Sequence, residues 1–315
     1  MNAILLAGDR HAGRPLHGVN KAFLLLEGTP LLVHVLAALD RARCIESIYV
    51  VGPKKPIMDA IEKALPCCFL FPKKIKVLEQ KESLIDNICH AYDCSVEQAG
   101  QEKGGAASSS LTRPPALFLP ADIPLVTAEE IDAFVTDADM NKYDYCLGVT
   151  SAAHLKQFYP APQSPGIRMS YLYLRDQIYR INNLHIARFC SLEAGALIQT
   201  IYNHRYQNNV LNRFMMVLAL LKAARTTACL SLYMRAQIAT LCARFEFHRL
   251  ATPFRHALIL PEIEREFSSL FQMRFKAVEV NIGGAALDID NEETYKTISL
   301  VFSKWRERLA IPLMA

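Results

Sequence analysis

The stretch that decides the fold is Ala3-Ile4-Leu5-Leu6-Ala7-Gly8, at the start of the chain. Its continuous apolar run, without alternation, is typical of a central parallel strand that is buried on both faces. Lys21 closes the basic, glycine-containing loop that follows, which contains Asp9, Arg10, His11, Gly13, Arg14 and Gly18. Such a loop presents backbone N–H groups and cations to phosphates, although an ordinary turn with exposed cations would have the same composition.

Strand-like and helix-like segments alternate along the chain. Further strands are predicted at 48–51, 116–119, 145–150 and 277–280. Apolar residues at helical spacing predict helices at 31–39, 57–65, 83–92 and 294–309. Thr29 and Pro30 are interpreted as the N-cap and first residue of the first helix, and Thr127-Ala128-Glu129-Glu130 is a capping box that opens another. The alternation predicts an α/β fold with a Rossmann-like, mixed and mostly parallel sheet.

The character of the chain changes after about residue 193. Between 194 and 245 there is no Asp or Glu, and the apolar residues fit two or three amphipathic helices. We therefore predict a helical subdomain over 194–275, inserted before the last strand, and a main domain formed by 1–193 and 276–315. The segment 98–115, rich in Gly, Ala, Ser and Pro, is interpreted as a mobile surface loop rather than a domain boundary.

The acid-free stretch at 194–245 is open to three interpretations. It could rest on an anionic membrane surface, form the face of a homodimer, or pack over the sheet with its Arg and Lys side chains reaching solvent. We favour packing over the sheet.

Composition and charge restrict the class of protein. The chain has 315 residues, is 51% hydrophobic and carries a net charge of +4. That modest charge fits an enzyme with phosphorylated ligands better than a nucleic-acid binder, and no nucleic-acid partner is expected. Nine irregularly spaced cysteines indicate reduced thiols rather than a disulfide framework. The apolar run at the start is short and is followed at once by Asp9 and Arg10, so it is not interpreted as a signal peptide. A cytoplasmic location is therefore expected.

Two groups of carboxylates are candidates for metal binding. Asp122 follows a predicted buried strand, where open α/β sheets bind ligands, and a hard cation such as Mg²⁺ prefers carboxylate oxygen. Asp288 and Asp290 alternate in an extended segment, so both carboxylates would face one side and would need a cation or a basic group. The alternatives are a turn cap for Asp122 and a solvated turn before the last helix for the pair.

The order and spacing of these motifs resemble the MobA-like NTP transferase family, which has a glycosyltransferase-A-like fold. The closest likeness is to the branch typified by molybdopterin guanylyltransferase. The resemblance covers residues 1 to about 190 and 276 to 300. The matching motifs are Leu6-Ala7-Gly8, Gly18-Val19-Asn20-Lys21-Ala22-Phe23-Leu24, Glu27-Gly28-Thr29-Pro30-Leu31, Ala121-Asp122-Ile123-Pro124-Leu125-Val126 and Asp288-Ile289-Asp290.

The resemblance implies a Mg²⁺-dependent nucleotidyltransferase that uses an NTP, either GTP or CTP, and a small phosphorylated acceptor. It implies that Lys21, with Arg10 or Arg14, neutralises the β- and γ-phosphates, and that Asp122 and Asp290 bind Mg²⁺, with Asp288 as a further candidate ligand. The remaining expected contacts are Leu6, Ala7 and Gly8 with the base and ribose, Ser83 and Asn87 with the base, and Arg168 and Asn183 with the acceptor.

Two alternatives to this function remain open. The family's usual second glycine after Leu-Ala-Gly is Asp9 here, and the glycines usual around the middle Asn are absent from Asn182-Asn183. A catalytically degenerate, nucleotide-binding regulator or scaffold would tolerate both changes. A glycosyltransferase would use Asp288 and Asp290 as its metal pair, although such enzymes place that pair in the middle of the domain.

Overall fold

The computed structural model describes residues 1–8, 16, 18–64, 71–102, 113–188, 228–244 and 254–310. Arg10 and Arg14 lie outside these residues, as does the first part of the predicted helical subdomain. The strands, in chain order, are β1 (Asn2–Leu6), β2 (Leu25–Leu26), β3 (Thr29–Pro30), β4 (Ser47–Gly52), β5 (Lys74–Glu79), β6 (Ala116–Pro120), β7 (Tyr145–Ser151), β8 (Leu172–Tyr173), β9 (Ile178–Ala187) and β10 (Phe275–Glu279). The helices are α1 (Leu31–Arg41), α2 (Lys54–Ala64), α3 (Leu84–Glu102), α4 (Ala128–Asp137), α5 (Ala152–Leu155), α6 (Ala228–Arg244), α7 (Leu260–Phe271) and α8 (Glu292–Ala310).

Eight strands form one sheet in the order β10-β7-β9-β6-β1-β4-β5, with β8 paired to β9. β1 lies in the interior and runs parallel to both β4 and β6. β9 runs antiparallel to its neighbours β6 and β7, so the sheet is mixed and mostly parallel. The predicted α/β fold class is confirmed.

Helices cover both faces of the sheet, which is why the central strand is apolar from Ala3 to Leu6. Ala3 and Leu5 pack with α1, α2 and α4 on one face. Ile4, between them, packs with Tyr49 and α3 on the other. All three β1 residues are fully buried, so any polar substitution there would lose its hydration without gaining a partner.

The C-terminal helix α8 closes a third apolar cluster. Its Ile298, Phe302 and Trp305 pack with Leu26 and Leu31 of the β2–β3 hairpin and α1. This hairpin turns at Glu27 and Gly28, whose φ angles of 51° and 78° are left-handed. The pairing of β2 with β3 is antiparallel.

The hairpin corrects the prediction for the start of α1. Thr29 and Pro30 form β3, and the helix begins at Leu31 with Pro30 as its N-cap and no side-chain capping bond. Thr29 pairs with Leu26, so the hairpin register holds it in an extended conformation. The helix therefore begins one residue later than the Thr-Pro pattern predicts. Thr29 cannot act as the N-cap, because its pairing with Leu26 holds it in the strand.

Other segments also differ from the sequence-based prediction. α3 continues to Glu102, so the first residues of the predicted loop at 98–115 are helical, and 103–112 lie outside the described residues. β5, β8, β9 and α7 were not predicted. By contrast, Thr127 caps α4 as predicted, since its Oγ1 accepts the backbone N–H of Glu130 at 3.1 Å.

Two helices of the predicted subdomain are described, namely α6 and α7. They pack on the β8–β9 hairpin through Ala239, Leu258 and Leu174, with Ile263 alongside. None of the described helices combines the length and the apolar character that a membrane crossing requires. The division into domains stays a prediction.

Candidate active site

The candidate site lies where the neighbouring parallel strands β1 and β6 end. Ala7 and Gly8 follow β1, and Asp122 follows β6. The backbone N–H of Ala121 donates to the carbonyl of Leu6 at 3.0 Å, which continues the pairing past the strand ends. The carboxyl ends of parallel strands are where open α/β sheets bind ligands, so the sheet topology brings the predicted residues together here.

A single turn of 3₁₀ helix, Lys21–Phe23, presents Lys21 to this edge of the sheet. Asn20 holds the turn in two ways: its Oδ1 accepts the backbone N–H of Ala22 at 2.9 Å, and its Nδ2 donates to the carbonyl of Ala7 at 3.0 Å. The capping side chain thus ties the turn to the end of β1. The Lys21 side chain on this turn is only 12% exposed.

Lys21 lies between two of the predicted carboxylates. Its Nζ is 3.6 Å from Oδ2 of Asp122 and 3.5 Å from Oδ1 of Asp290. Asp290 lies much later in the chain than Asp122. The residue before it fixes its position, because the backbone N–H of Ile289 donates to the carbonyl of Asp122 at 2.9 Å. One cation therefore bridges two acids that are far apart in the sequence.

The third predicted carboxylate, Asp288, has a different partner. Its Oδ1 accepts a hydrogen bond from Nη2 of Arg180 at 2.6 Å, and both side chains are largely buried. The pKa of Asp122 is raised to about 6. Burial is the largest cause of the rise, the charge of Lys21 opposes it, and the charges of Asp288 and Asp290 add to it. The three carboxylates thus interact electrostatically, although only Asp122 and Asp290 share Lys21.

A buried carboxylate of α4 supports the segment that carries Asp288 and Asp290. Oε1 of Glu130 accepts the backbone N–H of Gly283 at 2.9 Å, and Oε2 accepts that of Ala285 at 2.8 Å. Burial raises the pKa of Glu130 to about 7, and these N–H groups oppose the shift. Gly284 is required for close approach, since a Cβ there would lie 2.0 Å from the carbonyl oxygen of Leu125.

Two amides flank Gly8, on the side of the sheet where α3 begins. A Cβ at this position would lie 3.2 Å from Oε1 of Gln80 and 3.4 Å from Nδ2 of Asn87. Asn87 is 6% exposed, and its Oδ1 accepts the backbone N–H of Lys81. Ser83 instead caps α3, because its hydroxyl accepts the backbone N–H of Asp86 and donates to that carboxylate. Of the two predicted base contacts, the structure brings Asn87 to Gly8.

Of the two residues expected to contact the acceptor substrate, Asn183 lies at the site and Arg168 lies at the surface. Nδ2 of Asn183 donates to the carbonyl of Ala285 at 2.9 Å, which joins β9 to the segment before Asp288. Asn182 is buried beside Gly148, where a Cβ would lie 2.0 Å from its Oδ1. Arg168 is exposed, and no contact within the described ranges links it to Lys21.

Sequence reasoning missed three residues that build this site: Asn20, Glu130 and Arg180. A local signal existed for Asn20, since Asn is a favoured cap, and for Glu130, since it ends the capping box. No local signal identified Arg180, which lies in a strand that was not predicted.

Asp122 and Asp290 have the chemistry to bind a magnesium ion. A positive charge already lies between them, and hard cations prefer carboxylate oxygen. Among the residues that the structure describes, no three His, Cys, Asp or Glu side chains are placed to hold a metal. Two carboxylates suffice for Mg²⁺, because its remaining ligands are commonly waters and substrate phosphates.

Comparison with known proteins gives the site a context. The MobA-like NTP transferase domain model matches residues 3–160. No curated protein matches the chain. A solved structure described as a hypothetical transferase from Thermus thermophilus is 19% identical, with a TM-score of 0.56, and the match covers 93% of this chain and 98% of that chain. This likeness shows the fold.

Two further solved structures are similar at lower scores. CMP:2-keto-3-deoxy-manno-octonic acid synthetase complexed with CTP is 10% identical, with a TM-score of 0.46 and coverage of 96% of this chain and 98% of that chain. 4-Diphosphocytidyl-2C-methyl-D-erythritol synthase from Anaerococcus prevotii is 11% identical, with a TM-score of 0.44 and coverage of 96% and 95%.

Proposed function

Because the chain belongs to the MobA-like NTP transferase family, and is therefore a nucleotidyltransferase, we propose that it transfers a nucleoside monophosphate from an NTP to a small phosphorylated acceptor. The observation that carries the proposal is the position of Lys21 between Asp122 and Asp290. A buried cation between two carboxylates, at the carboxyl ends of two parallel strands, is suited to binding a metal-associated triphosphate.

Asp122 and Asp290 would hold Mg²⁺, which would neutralise negative charge on the α-phosphate and on the leaving pyrophosphate. Lys21 would supply positive charge to the β- and γ-phosphates, together with Arg10 or Arg14. A phosphate oxygen of the acceptor would attack the α-phosphorus in line, and the bond to the bridging oxygen of pyrophosphate would break. Such a reaction needs positioned charges rather than a covalent nucleophile.

The base would lie against Leu6, Ala7 and Gly8. Since Gly8 has no Cβ, the amides of Gln80 and Asn87 lie close to the backbone there, and the amide of Asn87 is the proposed hydrogen-bonding partner of the base. A carboxamide both donates and accepts, which suits either guanine or cytosine. GTP and CTP are the nucleotides proposed.

The experiment is pyrophosphate release with each of the four NTPs, against a panel of phosphorylated acceptors, with Mg²⁺ and with EDTA. We expect metal-dependent release with GTP or CTP, and a loss of at least about 100-fold in Asp122→Asn. Asp139→Asn is the matched control, because that aspartate pairs with Lys142 in an exposed turn, and it should keep full activity. Nucleotide binding without release across the panel would contradict the transfer reaction and favour a degenerate relative.

A further inference from the structure

Arg180, in β9, contacts two segments that surround the candidate site. Its Nε donates to the carbonyl of Ala286 at 2.8 Å, and its Nη2 donates to Oδ1 of Asp288 at 2.6 Å. A third nitrogen, Nη1, lies 3.4 Å from the carbonyl of Ser170. One guanidinium therefore holds the segment before Asp290 and also reaches the loop that carries Arg168.

We propose that Arg180 is a positioning residue that acts through Asp288 to place Asp290 beside Asp122. The inference rests on the proposed function, since it concerns the pair of carboxylates assigned there to the metal. Asp288 would then be the partner of Arg180 rather than a third metal ligand.

The backbone of this segment shows how the effect reaches Asp290. Asp288 is held by Arg180, and the next residue, Ile289, donates its N–H to the carbonyl of Asp122 at 2.9 Å. Two successive residues are thus attached to different parts of the protein, so the position of Asp290 after them is restricted. Loss of the Arg180 contacts would remove the side-chain support next to Asp290. The bond of Ile289 and the ion pair of Asp290 with Lys21 would then carry more of the task of holding that position.

The shape of the guanidinium explains why arginine stands here. Its planar fork reaches a carbonyl and a carboxylate at once, in directions that a lysine ammonium cannot reproduce with the same geometry. The Arg180 side chain is 18% exposed and that of Asp288 is 8% exposed, so solvent screens the pair only weakly. Removing a direct partner of a metal ligand typically changes metal affinity by 10- to 100-fold, and Arg180 acts one residue further from the metal, so its effect should lie at the lower end of that range.

The test is the binding of Mn²⁺ alone to the folded full-length protein, followed by electron paramagnetic resonance. The variants are Arg180→Met, Asp288→Asn and the two combined, with Asp290→Asn as the variant that should lose the site. We expect Arg180→Met to weaken Mn²⁺ binding about tenfold. Adding Asp288→Asn to it should weaken binding no further, because the two residues act as one pair.

Arg175→Met is the matched control. Arg175 lies near the start of the same strand, is exposed and pairs with its neighbour Asp176, so its loss should leave Mn²⁺ binding unchanged. Should Arg180→Met fail to fold, Arg180→Lys keeps the charge without the fork and should still weaken Mn²⁺ binding. Circular dichroism and the melting temperature distinguish a folded variant with weak binding from a damaged one.

Three results would overturn the inference. Unchanged Mn²⁺ affinity in both Arg180 variants would reduce Arg180 to a structural residue, while the proposed function would stand. Additive losses in the double variant would make Asp288 a metal ligand in its own right. Absence of Mn²⁺ binding in the wild type would remove the metal site from the proposed function, and the inference would be lost with it.

Discussion

His34, in α1, has both ring nitrogens engaged and is only 4% exposed. Nδ1 lies 3.1 Å from Nη1 of Arg306, which can only donate, and Nε2 lies 3.2 Å from the carbonyl of Leu26, which can only accept. The ring is therefore the neutral tautomer that carries its proton on Nε2. Burial lowers the pKa of His34 to about 4, the backbone bond to Leu26 opposes this, and the charge of Arg306 reinforces it.

This lowered pKa makes folding stability depend on pH. Since the unfolded ring has the ordinary pKa of about 6.5, the unfolded chain binds the proton first as the pH falls. The contribution of the neutral His34 ring to the free energy of unfolding is fully present above about pH 6.5 and is lost as the pH falls towards 4. Between pH 7.5 and 4.5 we expect the free energy of unfolding to fall by about 2–3 kcal/mol more in the wild type than in His34→Gln.

Urea unfolding at the two pH values measures this difference. His256→Gln is the control, because His256 is exposed and should leave the pH dependence as it is in the wild type. If His34→Gln lost stability between the two pH values by the same amount as the wild type, the neutral buried ring would not be the cause.

At the scale of elements, α4 connects the core of the fold to the candidate site. Thr127 caps its first turn, and Glu130, in the same turn, accepts hydrogen bonds from the backbone of Gly283 and Ala285. The helix therefore fixes the start of the segment that ends in Asp288 and Asp290. A carboxylate is well suited to this position, since it accepts hydrogen bonds at both oxygens.

Glu130→Gln should disrupt this connection. The amide retains one acceptor oxygen but turns an N–H₂ group towards a backbone N–H, so one buried donor loses its partner. We expect a loss of about 2–3 kcal/mol in the free energy of unfolding and a marked fall in pyrophosphate release. Glu129→Gln, on the exposed side of the same helical turn, should change neither. Full activity in Glu130→Gln would show that the segment holds its place without this carboxylate.

At the scale of the whole molecule, the last helix stabilises the first part of the site. Trp305 of α8 is 1% exposed and meets Phe158 edge to face, with ring centroids 5.0 Å apart. Tyr295 donates its hydroxyl to the carbonyl of Leu25 at 2.7 Å, so α8 also holds the β2–β3 hairpin that follows the Lys21 turn. Residues near both ends of the chain thus share one apolar cluster.

Trp305→Ala should therefore weaken both the fold and the site. Removing a buried indole leaves a cavity, and we expect a loss of about 3–5 kcal/mol in the free energy of unfolding, measured in urea. Leu300→Ala is the matched control on the same helix, because that side chain is 77% exposed and should cost almost nothing. A similar small effect from both variants would mean that the cluster around Trp305 is not well packed.

Short-range patterns in the sequence determined the fold class and three of the central site residues. The apolar run 3–7 requires burial on both faces, which places β1 inside a sheet covered by helices on each side. Asp122 follows a strand of the same kind, and Lys21 closes the loop after β1, so the parallel topology brings Asp122 to the edge of the sheet at which that loop begins. The bonds of Asn20 then hold Lys21 at this edge. Asp290 is a candidate because it alternates with Asp288 in an extended segment, and the resemblance implies that it binds the metal. The structure places its carboxylate at Lys21.

Only the tertiary structure decided which groups pair with one another. Arg180 and Asp288 are 108 residues apart, and Glu130 and Gly283 are 153 apart, so no local pattern joins them. β9 was missed because its polar Asn182 and Asn183 interrupt the apolar pattern of a buried strand, and their partners, Thr150 and Ala285, lie on other elements. Burial patterns are local properties of a sequence, whereas the partners of buried polar groups are set by packing across the chain.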